Sequence, residues 1–478
     1  MSTYPDLHLY IDGEWRTTAH DLPVVNPATE EEIGRLPHAE ISDLSDAVES
    51  AARGFKAWSQ VAPSERASVM YKAAAILRER QDEIANAITM EHGKPFNQAR
   101  AEVIRGCEFI EWDAGEATRT YGRVIPSAPG VRYIVHHQPI GTVAGFSPWN
   151  FPMSQPCRKV AGAIASGCSI ILKAAEETPA GALHIARAFH DAGLPPGVLN
   201  LVFGTPAEIS DYLIKQDDVR LVAFTGSTEV GRHLTTLAAK HMTPVLMELG
   251  GHAPVIVCED TNVEAAAVTG AIRKMRNAGQ VCTSPTRFFV HESIFDAYTE
   301  AFVRRAAATV VGNGFDSGVE MGPLANGRRI GALTDLVDDA RTQGAELKTG
   351  GSKMDGKGYF FQPTVLANVP DNARVMQEEP FGPLAIINPV GSLQEAIEKA
   401  NSVPYGLAAY GFTNRADYMD IMVEAVEAGN LSINTLEASL PETPFGGVKS
   451  SGYGREGGTE GLHNYMITKN VSHSRDIV

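Results

Sequence analysis

The chain has 478 residues, enough for two or three domains with ample core. At 44% hydrophobic and 21% charged residues, its composition is that of an ordinary soluble globular protein. A formal net charge of −16 argues against nucleic acid or an anionic membrane as principal partner, so any anionic ligand must be held by basic groups placed locally.

The first six residues combine no basic region with an apolar core, so no secretory signal is expected. Residues 7–17 carry Asp12-Gly13 between apolar and aromatic positions, a hairpin signal. After the Asn26-Pro27 turn, Leu44, Val48, Ala51, Ala52 and Phe55 recur at helical spacing over 42–59, and a second helix starts at Pro63-Ser64. Further helices are predicted over 81–92 and 96–118, which makes the opening region helical apart from its hairpin. Residues 121–137 read as a two-stranded arm around a Pro126–Gly130 turn, either an oligomer contact or a solvated hairpin.

From Gly141 the pattern alternates. Strands are predicted over 142–146, 168–173, 198–203, 221–224 and 245–248, with helices over 155–165, 180–192, 207–215 and 230–241. Strands separated by helices of this length make a parallel, doubly wound sheet, with ligands at the carboxyl ends of the strands. A second α/β block runs from about 253 to 433, with helices over 293–310 and 330–343. The tail, 464–472, is strand-like through Tyr465, Ile467 and Val471 and can pair with the arm. No run of about 18 apolar residues spans a membrane. The five cysteines (107, 157, 168, 258, 282) show no C-x-x-C spacing, which suggests reduced thiols and a cytoplasmic protein. Fourteen histidines include no H-E-x-x-H and no Cys/His cluster, so no metal is expected.

Several polar residues fall where such a sheet presents its ligands. In Arg276-Asn277-Ala278-Gly279-Gln280-Val281-Cys282, Gly279 is expected to break a preceding helix and set Cys282 on a turn. There the thiol is either a reachable nucleophile ready to ionise or a small buried hydrophobe. Asn150, in the rigid loop Phe146-Ser147-Pro148-Trp149-Asn150-Phe151-Pro152, is a candidate donor to an oxyanion or a turn-stabilising amide. Lys173 ends a strand and can reach a ribose or phosphate; Glu176 can accept from ribose hydroxyls while repelling an added phosphate. Phe224-Thr225-Gly226-Ser227 leads from strand into helix, where a Gly turn and a helix N-terminus favour a pyrophosphate. A true G-x-G-x-x-G, Gly452-Tyr453-Gly454-Arg455-Glu456-Gly457, is rejected as the dinucleotide site, because no strand precedes it and too little chain follows. Glu248 closes a strand among apolar neighbours that, by burying it, would suit it to general-base work. Glu379-Pro380-Phe381-Gly382-Pro383 is a rigid turn offering a carboxylate and an aromatic face.

Together these residues are recognisable. The chain resembles the NAD(P)-dependent aldehyde dehydrogenase superfamily from Tyr10-Ile11-Asp12-Gly13-Glu14-Trp15 to Pro444-Phe445-Gly446-Gly447-Val448-Lys449-Ser450-Ser451-Gly452. Between these ends lie Pro148-Trp149-Asn150-Phe151-Pro152, Phe224-Thr225-Gly226-Ser227, Glu248-Leu249-Gly250-Gly251, Gly279-Gln280-Val281-Cys282 and the Glu379 turn, in the family's order. The resemblance implies an α/β fold: a Rossmann-type cofactor domain (1–120 and 141–250), a catalytic domain (251–433), an oligomerisation arm with tail strand (121–140 and 464–478), and a substrate-site loop region (434–463). It implies Cys282 as nucleophile, Glu248 as general base, Asn150 with the Cys282 backbone N–H as oxyanion hole, and Lys173 beside them. Around the cofactor it implies Phe146, Ser147, Pro148, Trp149, Lys173, Glu176, Gly204, Phe224, Gly226, Ser227, Val230, Leu249, Glu379 and Phe381.

Within the superfamily the likeness is to succinate-semialdehyde and α-ketoglutaric semialdehyde dehydrogenases, whose substrates end in a carboxylate. Arginine grips such a group best. Arg158 and Arg276 fall where those enzymes place their carboxylate-binding arginines, with Ser439 and Gln155 as further contacts; structural ion pairs are the competing reading of both arginines. Ser284 stands where some relatives carry a second cysteine, so disulfide gating is not expected. Ala174 replaces the proline usual after the cofactor lysine. Glu176 argues for NAD, with NADP use left open. The expected partners are a small aldehyde and further copies of the chain, as dimer or tetramer. The rivals are a broad-range aldehyde dehydrogenase without carboxylate preference, a CoA-acylating enzyme, against which Glu248 speaks, and a non-enzymatic protein on the same scaffold.

Overall fold

The computed structural model describes residues 4–475, so the extreme ends of the N-terminal and tail readings, 1–3 and 476–478, lie outside the described residues. The chain builds two large sheets. Five parallel strands form the centre of the first, in the order Leu199–Val202, Ser169–Lys173, Thr142–Phe146, Val219–Thr225, Val245–Glu248. Nearly every residue of these strands is buried, as expected where helices cover both faces. One edge takes the predicted hairpin Leu9–Ile11 and Glu14–Arg16, whose turn residues Asp12 and Gly13 both have positive φ, 55° and 83°. The other edge takes the short antiparallel strand Gly452–Tyr453.

The second sheet has seven strands, ordered Glu346–Thr349, Thr364–Ala367, Leu384–Val390, Arg287–His291, Pro254–Val257, Ala408–Phe412, Asn430–Ile433. Each sheet has its own cluster of buried apolar residues. The expected α/β, doubly wound fold is the one found. Helices Ile41–Trp58, Pro63–Glu79, Gln81–His92 and Phe96–Ala117 stand where periodicity puts them. One element was not foreseen: a second hairpin, Asp21–Asn26 with Glu31–Pro37, interrupts the supposedly all-helical opening. The arm and tail do pair: Met466–Ser474 runs antiparallel to Val131–Pro139, which also holds Arg123–Ile125. Among the described residues, no helix is long and apolar enough to cross a membrane.

Candidate active site

The strand order fixes where a site can form. From Thr142–Phe146 the chain steps outward through Ser169–Lys173 to Leu199–Val202, then returns to the other side at Val219–Thr225. Adjacent strands whose connections leave in opposite directions open a crevice at their carboxyl ends. Here that crevice lies between the loop after Phe146 and the turn at Gly226, and it holds a cavity of about 680 Å³ lined by Trp149, Asn150, Gly226, Ser227, Glu248 and Cys282, among others. Gly226 is required at its turn, since a Cβ there would lie 2.4 Å from the Phe224 ring. Ser227 caps helix Thr228–Ala239, its hydroxyl accepting the Val230 N–H at 3.3 Å, so the helix's positive end faces the cavity.

Across the cavity Phe381 stands edge-on to Trp149, ring centroids 5.5 Å apart, with a left-handed φ of 41° of its own. Arg329 donates to the Pro380 and Phe381 carbonyls and steadies that turn. Glu379 is half-buried against the Gly250-Gly251 backbone, and desolvation there pushes its carboxyl up to about 8. In the walls, Thr225 Oγ1 and Asn326 Oδ1 are buried without a hydrogen-bond partner. Unmet polar atoms, a helix N-terminus and an aromatic pair fit a dinucleotide. Pro148 and Leu249 also line this space, whereas Lys173 and Glu176 do not. They pair with each other at 2.7 Å at the end of the neighbouring strand. Phe146, Ser147, Gly204, Phe224 and Val230 also lie outside its lining, Gly204 held at φ 145°.

The nucleophile segment departs from expectation in two ways. Helix Val263–Met275 ends at Arg276, whose ψ of 137° breaks it three residues before Gly279. Asn277 and Ala278 then take left-handed conformations, φ 53° and 52°, before Gly279 at 69°. Such residues cost roughly 1–3 kcal/mol each and persist only where the surroundings over-determine them. The surroundings do so here. Asn277 Nδ2 donates to the carbonyls of Asn150 (3.1 Å) and Gln280 (3.2 Å), and its N–H donates to Gln98 Oε1 at 3.0 Å. Gly279 serves close approach instead, since a Cβ would lie 2.0 Å from the Gly382 carbonyl oxygen.

Cys282 follows on a turn closed by the Ser284 N–H to the Val281 carbonyl, 2.9 Å, and braced by the Tyr410 hydroxyl on the Thr283 carbonyl, 2.6 Å. The second departure is its ionisation. Burial, then the charges of Glu379 and Glu248, push the thiol up to about 12, so it is held protonated rather than ready to ionise.

Asn150 is buried, and its amide donates to the Gln280 carbonyl at 3.0 Å, which leaves a second amide hydrogen for the cavity. What positions it was not found from sequence. Lys94 Nζ donates to the Asn150 carbonyl at 2.9 Å and pairs with Glu102 at 2.6 Å, both side chains almost fully buried. Glu102 Oε1 in turn accepts the N–H groups of Met153 and Ser154, at the start of helix Ser154–Ser166. The available signal was a glutamate on the apolar face of a helix, with Ala99, Val103 and Gly106.

Glu248 ends its strand 2% exposed, with both carboxylate oxygens unpartnered. Burial first, and the charge of Glu456 second, hold its pKa well above the usual carboxylate range. Glu456 itself pairs with Lys159 at 2.8 Å, both fully buried. The rejected G-x-G-x-x-G thus serves to carry Glu456 there; a two-residue strand, Val448–Lys449, does precede it, but no βαβ unit forms.

On the far side of Cys282 lies a second cavity, about 200 Å³, lined by Gln155, Arg158, Arg276, Cys282 and Ser439. All four expected substrate contacts therefore surround one space that opens on the thiol. Arg158 is buried between the rings of Phe109 (3.8 Å) and Phe445 (5.0 Å) and donates to Ser439 Oγ at 2.7 Å, while its Nη1 has no partner. Gln155 Oε1 is likewise unpartnered. Among the described residues, neither Arg158 nor Arg276 has a carboxylate within ion-pair distance, in contrast to Arg273, which pairs with Glu437 at 2.6 Å. Arg105 and Arg273, unnoticed in the sequence, also line this cavity. With burial, their charges depress Arg276.

A family model described as the aldehyde dehydrogenase family matches residues 15–471. A 4-(hydroxymethyl)benzenesulfonate dehydrogenase of Comamonas testosteroni is 47% identical over 98% of this chain and 99% of its own. An NADP+ succinate-semialdehyde dehydrogenase of Escherichia coli is 38% identical over 96% of each. Among solved structures, a betaine aldehyde dehydrogenase of Staphylococcus aureus in complex with NAD+ superposes with a TM-score of 0.96 at 32% identity, covering 98% of this chain and 96% of that one.

Proposed function

The chain belongs to the aldehyde dehydrogenase family, and from that premise we propose that it oxidises an aldehyde carrying an anionic group at its far end, foremost a short carboxylated semialdehyde such as succinic or α-ketoglutaric semialdehyde. One observation carries the substrate reading: two arginines without carboxylate partners, Arg158 and Arg276, in the walls of a cavity that opens on Cys282. Arg158 is buried with its Nη1 unpartnered and Arg276 stands in the wall of the same cavity, an arrangement that suits an anion reaching in from the thiol.

Cys282 Sγ attacks the aldehyde carbon, the carbonyl π pair moves to oxygen, and the thiol proton leaves to solvent through the open cavity. The Asn150 amide and the Cys282 backbone N–H stabilise the oxyanion of the resulting thiohemiacetal. NAD or NADP, when bound, supplies the two-electron acceptor that turns the thiohemiacetal into a thioester. Glu248, with both oxygens free and once ionised, then takes a proton from water, whose oxygen bonds to the acyl carbon and displaces sulfur; that proton returns to Cys282 Sγ as the acid leaves. Ser227 and its helix N-terminus would hold the pyrophosphate, and Trp149, Glu379 and Phe381 the nicotinamide end. Lys173 and Glu176 remain assigned to the ribose, which requires their mutual ion pair to open. Exposed Val124, Ile125, Tyr133, Ile467 and Val471 on the arm sheet support a homo-oligomer, and five free cysteines support a reducing, cytoplasmic setting.

A second reading of the substrate has its own support: Phe109, Phe151 and Phe445 line the same cavity, which suits an aromatic aldehyde bearing a sulfonate, as the 47% identical relative's name suggests. Steady-state formation of NADH or NADPH with succinic, α-ketoglutaric and glutaric semialdehydes, 4-formylbenzenesulfonate, butanal and benzaldehyde tests both. Anionic aldehydes should exceed uncharged ones in kcat/KM by about a hundredfold, matching one charge-assisted contact, and Arg158→Met should erase most of the difference. Equal rates for butanal would leave a broad-range enzyme; rank within the anionic members separates the two readings.

A further inference from the structure

Lys274 is one of the most deeply buried cations in the molecule, 1% exposed, yet among the described residues no carboxylate lies within ion-pair distance of it. Its one hydrogen bond goes to Ser284 Oγ at 3.1 Å. Ser284 is the last residue of the Val281–Ser284 turn that carries Cys282; its N–H closes that turn and its carbonyl accepts from Thr286 Oγ1 at 2.9 Å. A methionine would fill the same volume without desolvating an amine, so packing does not account for the residue. We propose that Lys274 is a positioning residue for the nucleophile, acting through the Ser284 hydroxyl to fix the turn that aims Cys282 between the two cavities. This deepens the reading of Cys282 as nucleophile and rests on it.

Helix Val263–Met275 supplies the lever. Lys274 sits in its last turn, immediately before the break at Arg276, so the amine spans from the helix end to the far side of the loop. Two left-handed residues between those points, Asn277 and Ala278, hold strain that a loose turn would release. The ionisable groups around the amine are Glu379, whose carboxylate favours its charged form, and His252, which burial keeps neutral and which Arg287 also faces. Burial lowers its pKa to about 7, and both the ammonium and the neutral amine can donate to Ser284, so the contact survives its titration.

The test is acylation of Cys282 by p-nitrophenyl acetate, read as the p-nitrophenol burst on the full chain, alongside kcat and KM for the best aldehyde. Ser284→Ala and Lys274→Met should each slow the burst and lower kcat by about ten- to a hundredfold, the scale of a small misplacement, with KM unchanged. The double variant should be no slower than either single one, and Ser284→Thr, which keeps the hydroxyl, should stay near the parent rate. A Ser284→Ala burst within about twofold of the parent overturns the proposal, whether or not Lys274→Met folds; so does a double variant that multiplies the single losses. The ester needs neither aldehyde nor dinucleotide. A parent enzyme that oxidises no aldehyde therefore sinks the functional reading while leaving this answer intact.

Discussion

The acid–base groups of the site are all tuned the same way. Burial pushes the Cys282 thiol to about 12, Glu379 to about 8 and Glu248 well above the usual carboxylate range, so the unliganded site is largely neutral. A neutral thiol and a neutral carboxyl avoid placing two negative charges in one dry cavity. Glu248 must give up that proton before it can act as a base, and its raised pKa then supplies the affinity for a proton that the proposed role demands. Glu248→Gln removes that base while keeping shape. The variant should give a burst of about one reduced dinucleotide per active site, followed by turnover slower by about a hundredfold or more, because the thioester then waits for unassisted water. Cys282→Ala should give no burst. A Glu248→Gln enzyme whose steady state matches the parent would remove Glu248 from the hydrolytic step. Both positions stood out in the sequence as candidates, and a raised pKa for a buried Glu248 was expected from its apolar neighbours; the protonation of Cys282 was not, since it depends on walls contributed by distant segments.

At the scale of elements, the site depends on how two loops are tied to each other. The Lys94–Glu102 pair joins helix Phe96–Ala117 to the Asn150 loop and to the start of helix Ser154–Ser166. Lys94→Met leaves the Glu102 carboxylate buried without its cation and should cost about 3–5 kcal/mol, measured by denaturant unfolding. Adding Glu102→Gln removes the uncompensated charge and should recover much of that loss, but not kcat, because the Asn150 carbonyl is then held by the Asn277 amide alone. A double variant as unstable as Lys94→Met alone would show that the pair's worth is not electrostatic. The parallel strands were readable because fully buried strands are short apolar runs framed by helical periods. Hairpin Asp21–Asn26 and Glu31–Pro37 was not, since its strands lack clean alternation and carry Pro23 and Gly34. Nor was the true end of helix Val263–Met275. Asn277 and Ala278 are left-handed without being glycine, a conformation imposed by hydrogen bonds from residues over a hundred positions away. Arg105 and Arg273 were likewise invisible as cavity residues, because only the packing of separate helices brings them beside Arg158 and Arg276.

For the molecule as a whole, burial of ionisable groups sets how stability responds to pH. Glu91, Asp113 and Glu379 each titrate near 8 when folded, all chiefly through burial, against about 4 in the unfolded chain. Between those values the folded state holds protons that the unfolded state has released, so stability falls as pH rises. His92, His184 and His252 pull the other way. Burial depresses all three, His184 to about 3, so below roughly 6.5 the unfolded chain binds protons that the folded one refuses, and stability there rises with pH. From pH 4.5 to 6.5 the histidines oppose the carboxyls, to which Glu248 belongs as well, and offset part of their effect. Above 6.5 the histidines are neutral in both states and the carboxyls act nearly unopposed, until Lys274, depressed to about 7, begins to lose its proton in the folded state. The cofactor-free protein should therefore lose thermal stability from about pH 6.5 to 8, measured as Tm in low-salt buffer. Asp113→Asn cannot ionise and should flatten that decline by about a quarter, as one of four carboxyls, Glu248 included, that burial raises. A Tm that is level or rising over this window in the parent protein would mean that these carboxyls are ionised in the fold. The neutral resting state of the site would fall with it, because Glu379 belongs to both arguments.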